Sequence, residues 1–372
     1  MRLQNLELMN FRNYLHEHIR PGFSLNILNG ENAQGKTNIL ESVYLACTGK
    51  SFRTIKESEI INWQNDFSLI SCLFESAGRE LELKVLLTPG QKKIKVNGAP
   101  VRGYPLGWPG VVLFTPDDMV IVKGSPQERR RFLDAEIGPF DNRYAYCLGR
   151  YQRILTQRNN LLREIRDRKR DSELLQTWNE QLCQYGAQII FFRLALLKKA
   201  NPVIRSIYHE LTGGLEELSI RYLSSLKIDC MTSEQEIINL FNAALSAAKN
   251  EEIARGQSLI GPHRDDLVFL INKKEAKVYG SQGQQRTIVL VLKLAQMQMW
   301  HNEIGEHPIL LLDDVLFELD NARQKALFNK IKENVQTFIT SSTVRDIGAG
   351  DGLSKKLFIV REGKIIKSEK EV

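Results

Sequence analysis

The sequence predicts an α/β fold whose core is assembled from both ends of the chain around an inserted, mainly helical segment. Three observations carry that reading. Strand-like patterns fill the stretch from Met1 to about Trp108 and return after Ile260. Helical periodicity dominates between about Ser125 and Asn250. A glycine-rich loop follows an early apolar strand, and a late apolar run ends in two aspartates.

In chain order, Leu3–Met9, Ser24–Leu28, Leu69–Glu75, Glu80–Leu87 and Lys92–Val96 alternate or run apolar, with Pro89-Gly90 and Asn97-Gly98 as turns. One helix interrupts them, beginning near Lys36. In the middle, Leu175, Trp178, Leu182, Tyr185, Ile189, Phe192 and Leu196 recur at steps of three and four, which places them on one helical face. Tyr144, Leu148, Tyr151, Leu155 and Leu162 do the same earlier, with Arg158 breaking the seam. The polar run Arg166 to Glu173 between them predicts an antiparallel helical hairpin whose aromatics are scaffold. Strands are then expected at Asp266–Ile271 and Lys277–Tyr279, followed by a helix from about Gln284 to His301. The run Ile309–Leu312 reads as a central parallel strand covered on both faces. A helix near Asn321–Asn334, a strand at Phe338–Thr340 and a hairpin of Leu357–Val360 with Lys364–Ile366 complete the chain. The expected division is an α/β domain from residues 1–112 and 259–372, with 113–258 as the inserted helical lid domain.

The chain has 372 residues, 42% of them hydrophobic and 26% charged, which excludes disordered, fibrous and disulfide-dense classes. No apolar run approaches the ~18 residues of a membrane span. No signal-peptide order opens the sequence, so a cytoplasmic location is expected. Five cysteines (Cys47, Cys72, Cys147, Cys183, Cys230) lack disulfide or zinc spacing and read as reduced, mostly buried thiols. The formal charge of +7 points toward a polyanionic partner, although net charge informs association rather than fold.

The stretch Gly30 to Thr37, GENAQGKT, matches GxxxxGK[ST] between an apolar strand and a helix-compatible run. Gly30 and Gly35 let the loop bend so that backbone N–H groups point inward; the helix start adds partial positive charge, and Lys36 reaches the outer phosphates. Asn32 within the loop and Asn38 just after it are also expected to bind the nucleotide. ATP is the expected ligand, with Thr37 on Mg²⁺. The companion site is the strand end ILLLDDV, where Asp313 belongs near the Mg²⁺ shell and Asp314 is placed to orient or deprotonate the attacking water. Lys36 and Asp314 are thus the expected catalytic pair. Aspartate is one methylene shorter than glutamate, so the base stands farther from its water, which predicts slow turnover suited to a switch, below ~10 s⁻¹.

The run SQGQQR, Ser281 to Arg286, opens the next apolar helix and offers a second phosphate-facing surface, whose natural use is the nucleotide of another copy. The order GENAQGKT, SQGQQR, ILLLDDV and FELD (Phe317 to Asp320) resembles the ABC-type ATPase heads of the SMC superfamily. The stretches LMNFRNY (Leu8 to Tyr14), TPDDMVIVKGSPQERRRFLD (Thr115 to Asp134) and GPHRDDL (Gly261 to Leu267) are similar to the RecF family within it. That resemblance implies an ABC-type head that dimerises on ATP and binds single-stranded, double-stranded and gapped DNA. It also implies action with RecO and RecR, and indirectly RecA, at gaps and stalled replication forks, within the SOS response. It assigns Gly30, Gly35, Lys36 and Thr37 to Walker A and Ser281, Gly283 and Gln284 to the signature. Asp313 and Asp314 become Walker B, and Asp320 the D-loop. The glutamine and histidine that many ABC proteins carry near the γ-phosphate have no counterpart after Val111–Phe114 or Phe338-Ile339.

Thirteen basic residues against six acids lie between Lys123 and Arg170. Their arginine forks suit phosphate oxygens, and Arg129, Arg130, Arg131, Arg143, Arg150 and Arg153 are the expected DNA contacts. His263 with Arg264, Asp265 and Asp266 is expected to form a structural hydrogen-bonding corner. A transporter ATPase subunit leaves the arginines unexplained. A long-armed chromosome organiser fails on reach, since only 244 residues separate Lys36 from Ser281.

Overall fold

The computed structural model describes every residue except 102–107, 139–140, 169, 230–231, 317–318, 332–333, 343–353 and 372, and the side chains of 322, 370 and 371. The expectations for Lys169, Cys230, Phe317 and Glu318 therefore lie outside the described residues. The chain forms two compact units, Met1–Asp118 with Leu290–Val372, and Met119–Val289. No helix among the described residues is long and apolar enough to cross a membrane.

The first unit holds two six-stranded sheets. One is antiparallel, in the order β2 (Tyr14–Ile19), β1 (Arg2–Phe11), β4 (Ser68–Ser76), β5 (Arg79–Thr88), β6 (Gln91–Val96), β7 (Ala99–Val101). The other runs β15 (Lys364–Glu371), β14 (Lys355–Arg361), β3 (Leu25–Asn29), β13 (Thr337–Ser341), β12 (Ile309–Leu312), β8 (Val111–Phe114). Its strands from β14 to β8 are parallel, so the two chain ends interleave: Thr337 pairs with Leu25 and Ile309 with Val111. Strand β12 is buried throughout, as a central strand covered on both faces must be. Helix α1 (Lys36–Thr48) lies in the core between the sheets' apolar faces, through Ile39, Leu40 and Val43. The final helix of this unit, α9 (Asn321–Lys330), stops at Lys330 rather than near Asn334.

The second unit contains α2 (Val120–Lys123), α3 (Pro126–Ile137), α4 (Asn142–Arg166), α5 (Leu175–Leu211) and α6 (Glu234–Arg255). A three-stranded antiparallel sheet of β9 (Leu218–Leu223), β10 (Asp266–Ile271) and β11 (Lys274–Glu275) joins them. Helices α4 and α5 form the predicted hairpin around Tyr144, Tyr151, Leu182 and Ile189. Helix α5 is 37 residues long, ~55 Å at 1.5 Å per residue. The unit extends past the expected boundary at 258 to Val289 because β10 pairs along its whole length with β9. The expected strand Lys277–Tyr279 is instead one helical turn, α7 (Ala276–Tyr279). Val278 and Tyr279 are 63% and 73% exposed, so no sheet face holds them, while the Gln285 amide donates to Ala276 O at 2.9 Å and fixes the turn. The strand signal belongs to β11, which returns from β10 through Asn272 and Lys273 at φ 47° and 67°. Helix α8 (Gln282–Ile304) then carries the chain into the first unit, where β12, α9 (Asn321–Lys330), β13, β14 and β15 follow.

The Cys47, Cys72, Cys147 and Cys183 thiols are free and buried. Burial, against an opposing pull from Arg158, pushes the Cys183 thiol up to about 12, which keeps it protonated.

Candidate nucleotide site and arginine surface

Strand β3 ends at Asn29, and the loop that follows turns back into α1 through Ala33 at φ 64° and Gly35 at φ 114°. Glycine is required twice. A Cβ on Gly30 would sit 2.3 Å from Val360 O, and one on Gly35 would lie 2.7 Å from the Asn13 amide in a backbone region that L-residues avoid. Neighbouring strands brace the loop: Tyr14 donates to Gly35 O at 3.1 Å and Asn13 to Gln34 O at 3.0 Å. Asn38 donates to Asn13 Oδ1 at 2.7 Å, while Asn32 stands exposed at the loop tip. The loop is thereby held in one shape, so ordering it around a ligand costs little entropy.

Lys36 Nζ reaches into the arc and donates to Gly30 O at 2.6 Å and Glu31 O at 2.8 Å. Burial lowers its pKa, and Asp314 and Asp313 oppose that fall. Thr37 Oγ1 donates to Asp313 Oδ1 at 2.9 Å, which joins the loop to the end of β12. Burial raises the Asp313 carboxyl, against the lowering pull of the Thr37 and Thr340 hydroxyls. Thr340, at the end of β13, lies 2.9 Å from Asp313 Oδ1 and 3.3 Å from Asp314 Oδ1, and accepts the Asp314 N–H at 2.8 Å. Asp314 itself adopts φ 52°, which turns the chain sharply after the strand.

This donor set fits Mg²⁺. A hydroxyl and a carboxylate oxygen 2.9 Å apart are hard ligands, and Mg²⁺ characteristically takes one or two protein oxygens alongside substrate phosphates and water. Among the described residues no group of three or more His, Cys, Asp or Glu forms a self-sufficient metal cage. The Thr340 bridge and the Asn13–Tyr14 brace escaped sequence reasoning. Thr340 was visible as the end of a buried strand, but only the β12–β13 pairing shows what its hydroxyl meets.

Ser281 caps α8 reciprocally: its Oγ accepts the Gln284 N–H at 3.1 Å and its own N–H donates to Gln284 Oε1 at 2.7 Å. Ser281 remains exposed, and Gly283 is half-buried in the first turn. The Gln284 amide nitrogen donates to Glu216 at 2.6 Å, so both ends of that side chain are used within its own unit. Asp320 caps α9 by accepting the Arg323 N–H at 2.9 Å and pairs with the Arg323 guanidinium.

The arginines separate by environment. Arg129 was expected to contact DNA, and the structure corrects this. It is 4% exposed and makes a bidentate pair with Asp266 at 2.6 and 2.8 Å, so burial keeps its guanidinium from an outside phosphate, unlike the exposed Arg143. Arg130 is half-buried and donates to Asp265 O at 2.7 Å. Arg131 alone of the triplet faces outward, beside Glu128. Arg143, Arg150 and Arg153 are exposed on α4. Arg158, the residue that breaks the seam, is buried against Glu252 at 2.5 Å, Asn179 at 2.8 Å and Ser258 at 2.7 Å. His263 sits 2.7 Å from Tyr151 OH and 3.1 Å from Ser258 O, and burial lowers its pKa to about 4, so it is a neutral structural corner.

Comparison with known proteins places this geometry among relatives. The family described as AAA domain matches residues 5–338. The DNA replication and repair protein RecF of Pelotomaculum thermopropionicum is 54% identical over 366 residues, covering 98% of this chain and 100% of the relative. A solved structure of the recombination mediator protein RecF with ATP, described as part of the RecFOR pathway, superposes with a TM-score of 0.89 at 34% identity over 100% of this chain and 97% of that one. An Smc head domain from Pyrococcus furiosus aligns at TM-score 0.56 and 17% identity over 99% of this chain and 96% of that one, a likeness of fold alone. The fold is an ABC-type P-loop ATPase head with strands from both chain ends and an inserted helical region.

Proposed function

This chain belongs to the RecF family of DNA replication and repair proteins, and on that premise we propose that it is an ATP-gated, DNA-binding protein of recombinational repair. Gly30, Gly35 and the loop N–H groups hold the triphosphate, with Asn32 and Asn38 flanking it, while Lys36 exchanges its loop carbonyls for the outer phosphate oxygens. Thr37 and Asp313 hold Mg²⁺, which neutralises phosphate charge when bound. Asp314, kept in place by Thr340, orients the water, and the short aspartate arm makes hydrolysis slow. Ser281 and Gly283 complete the nucleotide site of a second copy, with Gln284 shaping that turn and Asp320 near the closed seam. The homodimer formed on ATP grips single-stranded, double-stranded or gapped DNA through Arg131, Arg143, Arg150 and Arg153. In this reading it works with RecO and RecR so that RecA assembles at gaps, with ATP hydrolysis as the release switch.

The observation that carries the reading is the Thr37–Asp313 hydrogen bond of 2.9 Å, which couples the phosphate loop to the acidic strand end. Sedimentation with no nucleotide, ADP and a nonhydrolysable ATP analogue, each with and without gapped duplex, is the test. A dimer is expected only with the ATP analogue, and Ser281→Arg should remain monomeric while still binding nucleotide. Normal pairing of that variant removes the shared-nucleotide dimer.

A further inference from the structure

Helix α4 contains three tyrosines with contrasting fates. Tyr144 and Tyr151 are 0% and 1% exposed, packed in the hairpin core, whereas Tyr146 is 57% exposed. Tyr146 lies on the outward face with Arg143, Arg150 and Arg153, at successive steps of three, four and three residues, so the four side chains share one stripe of ~15 Å. From Asn142 to Arg163 the helix carries no Asp or Glu. Arg150 Nε donates to Tyr146 OH at 3.1 Å, and its guanidinium carbon lies 5.6 Å from the ring centroid. Tyr185 of α5 packs against that ring edge-on, with centroids 6.3 Å apart and planes at 67°. Beside them, the Arg143 guanidinium sits 5.5 Å from the Phe192 ring centroid while pairing with Asp141 at 2.6 Å.

An exposed aromatic held by a guanidinium and a second ring, in a stripe of positive charge, has the chemistry of a single-strand stacking platform. Every nucleobase has a π-face, but a duplex buries those faces against each other, so only an unpaired base is free to stack. The bracing also keeps Tyr146 from losing rotamer freedom on binding. We infer that this face of α4 is a single-strand contact, in which Tyr146 takes an unpaired base and Arg143, Arg150 and Arg153 take the flanking phosphates. The inference rests on the DNA-binding reading above and adds the discrimination between unpaired and paired DNA.

The test uses the full chain with a single-stranded oligonucleotide carrying 2-aminopurine, and with a blunt duplex. Wild-type protein and Tyr146→Phe are expected to quench the fluorescent base. Tyr146→Ala and Tyr146→Leu, the latter keeping apolar bulk without a ring, should lose the quenching and bind the single strand roughly tenfold more weakly. Duplex affinity should stay within about twofold, and Arg150→Ala should weaken both substrates. If both ring-less variants keep the quenching and the single-strand affinity while Arg150→Ala weakens binding, the platform is refuted and DNA binding stands. If the wild type binds neither substrate, the DNA-binding reading falls and takes the platform with it.

Discussion

The phosphate loop and the helical unit both bury charged side chains, and they do so to opposite ends. Around the loop, and among the described residues, the Lys36 ammonium donates to two backbone carbonyls, with Asp313 and Asp314 nearby, and the Asp313 carboxylate accepts from two hydroxyls. In the proposed function these hydrogen-bond partners give way to a phosphate or a cation. In the helical unit, Arg158 meets Glu252 with both side chains essentially buried, and Arg193 meets Asp134, Tyr144 and Pro262 O. Each of those arginines is itself buried, meets a carboxylate and has further partners, so the cations are scaffold. A buried charge therefore reports function only when its partners are ones that a ligand can replace.

The largest test of this contrast is Arg158→Met. It strands the Glu252 carboxylate in the core, and the expected loss is about 3–5 kcal/mol of unfolding free energy by denaturant titration. Adding Glu252→Leu should recover most of it, since an apolar pair replaces a buried ion pair at little net cost. A single Arg158→Met variant as stable as the wild type would place this pair in the exchangeable class.

Next in size is an acid-side effect at His263. Its folded pKa of about 4 lies below the ordinary value of 6.5, so the unfolded chain binds the proton first as pH falls. The stability that His263 contributes is complete above pH 6.5 and declines between 6.5 and 4, by about 3 kcal/mol in all. Comparing unfolding of the wild type and His263→Gln at pH 7 and pH 4.5 isolates this slope from the carboxylates. Equal pH dependence in the two proteins would show that the corner admits the charged ring.

The smallest effect separates two arginines of the same basic segment. Arg150→Gln should reduce the slope of log K against log salt for DNA by about 1 and leave stability within ~0.5 kcal/mol. Arg129→Gln should do the reverse, lowering the melting temperature through the stranded Asp266 while the salt slope holds. Matching salt slopes would mean that burial does not distinguish them.

Sequence pattern made much of the candidate nucleotide site's local structure legible because its parts are local. A strand, a glycine turn and a helix start are consecutive in Leu25 to Thr48, and the chemistry of each residue follows from its position in that run. The acidic end of β12 was legible for the same reason, since four consecutive apolar residues followed by two aspartates describe a buried strand reaching the surface. The helical hairpin followed from periodicity alone. Less visible were the three-stranded sheet and the short turn at Ala276–Tyr279, because exposure and long-range pairing decide both.

What the amino-acid sequence determined by itself, then, is the set of short-range devices: the phosphate loop, the capped start of α8 at Ser281, the strand that ends in Asp313 and Asp314, and the paired helices. Tertiary structure decided which charges are available. Arg129 and Arg131 are two positions apart and chemically identical, yet Asp266, 137 residues after Arg129, neutralises one and leaves the other facing water. The same folding brings Thr37 and Asp313, 276 residues apart, to 2.9 Å. Periodicity encodes which face of an element turns inward; the partner it meets there depends on how distant segments pack.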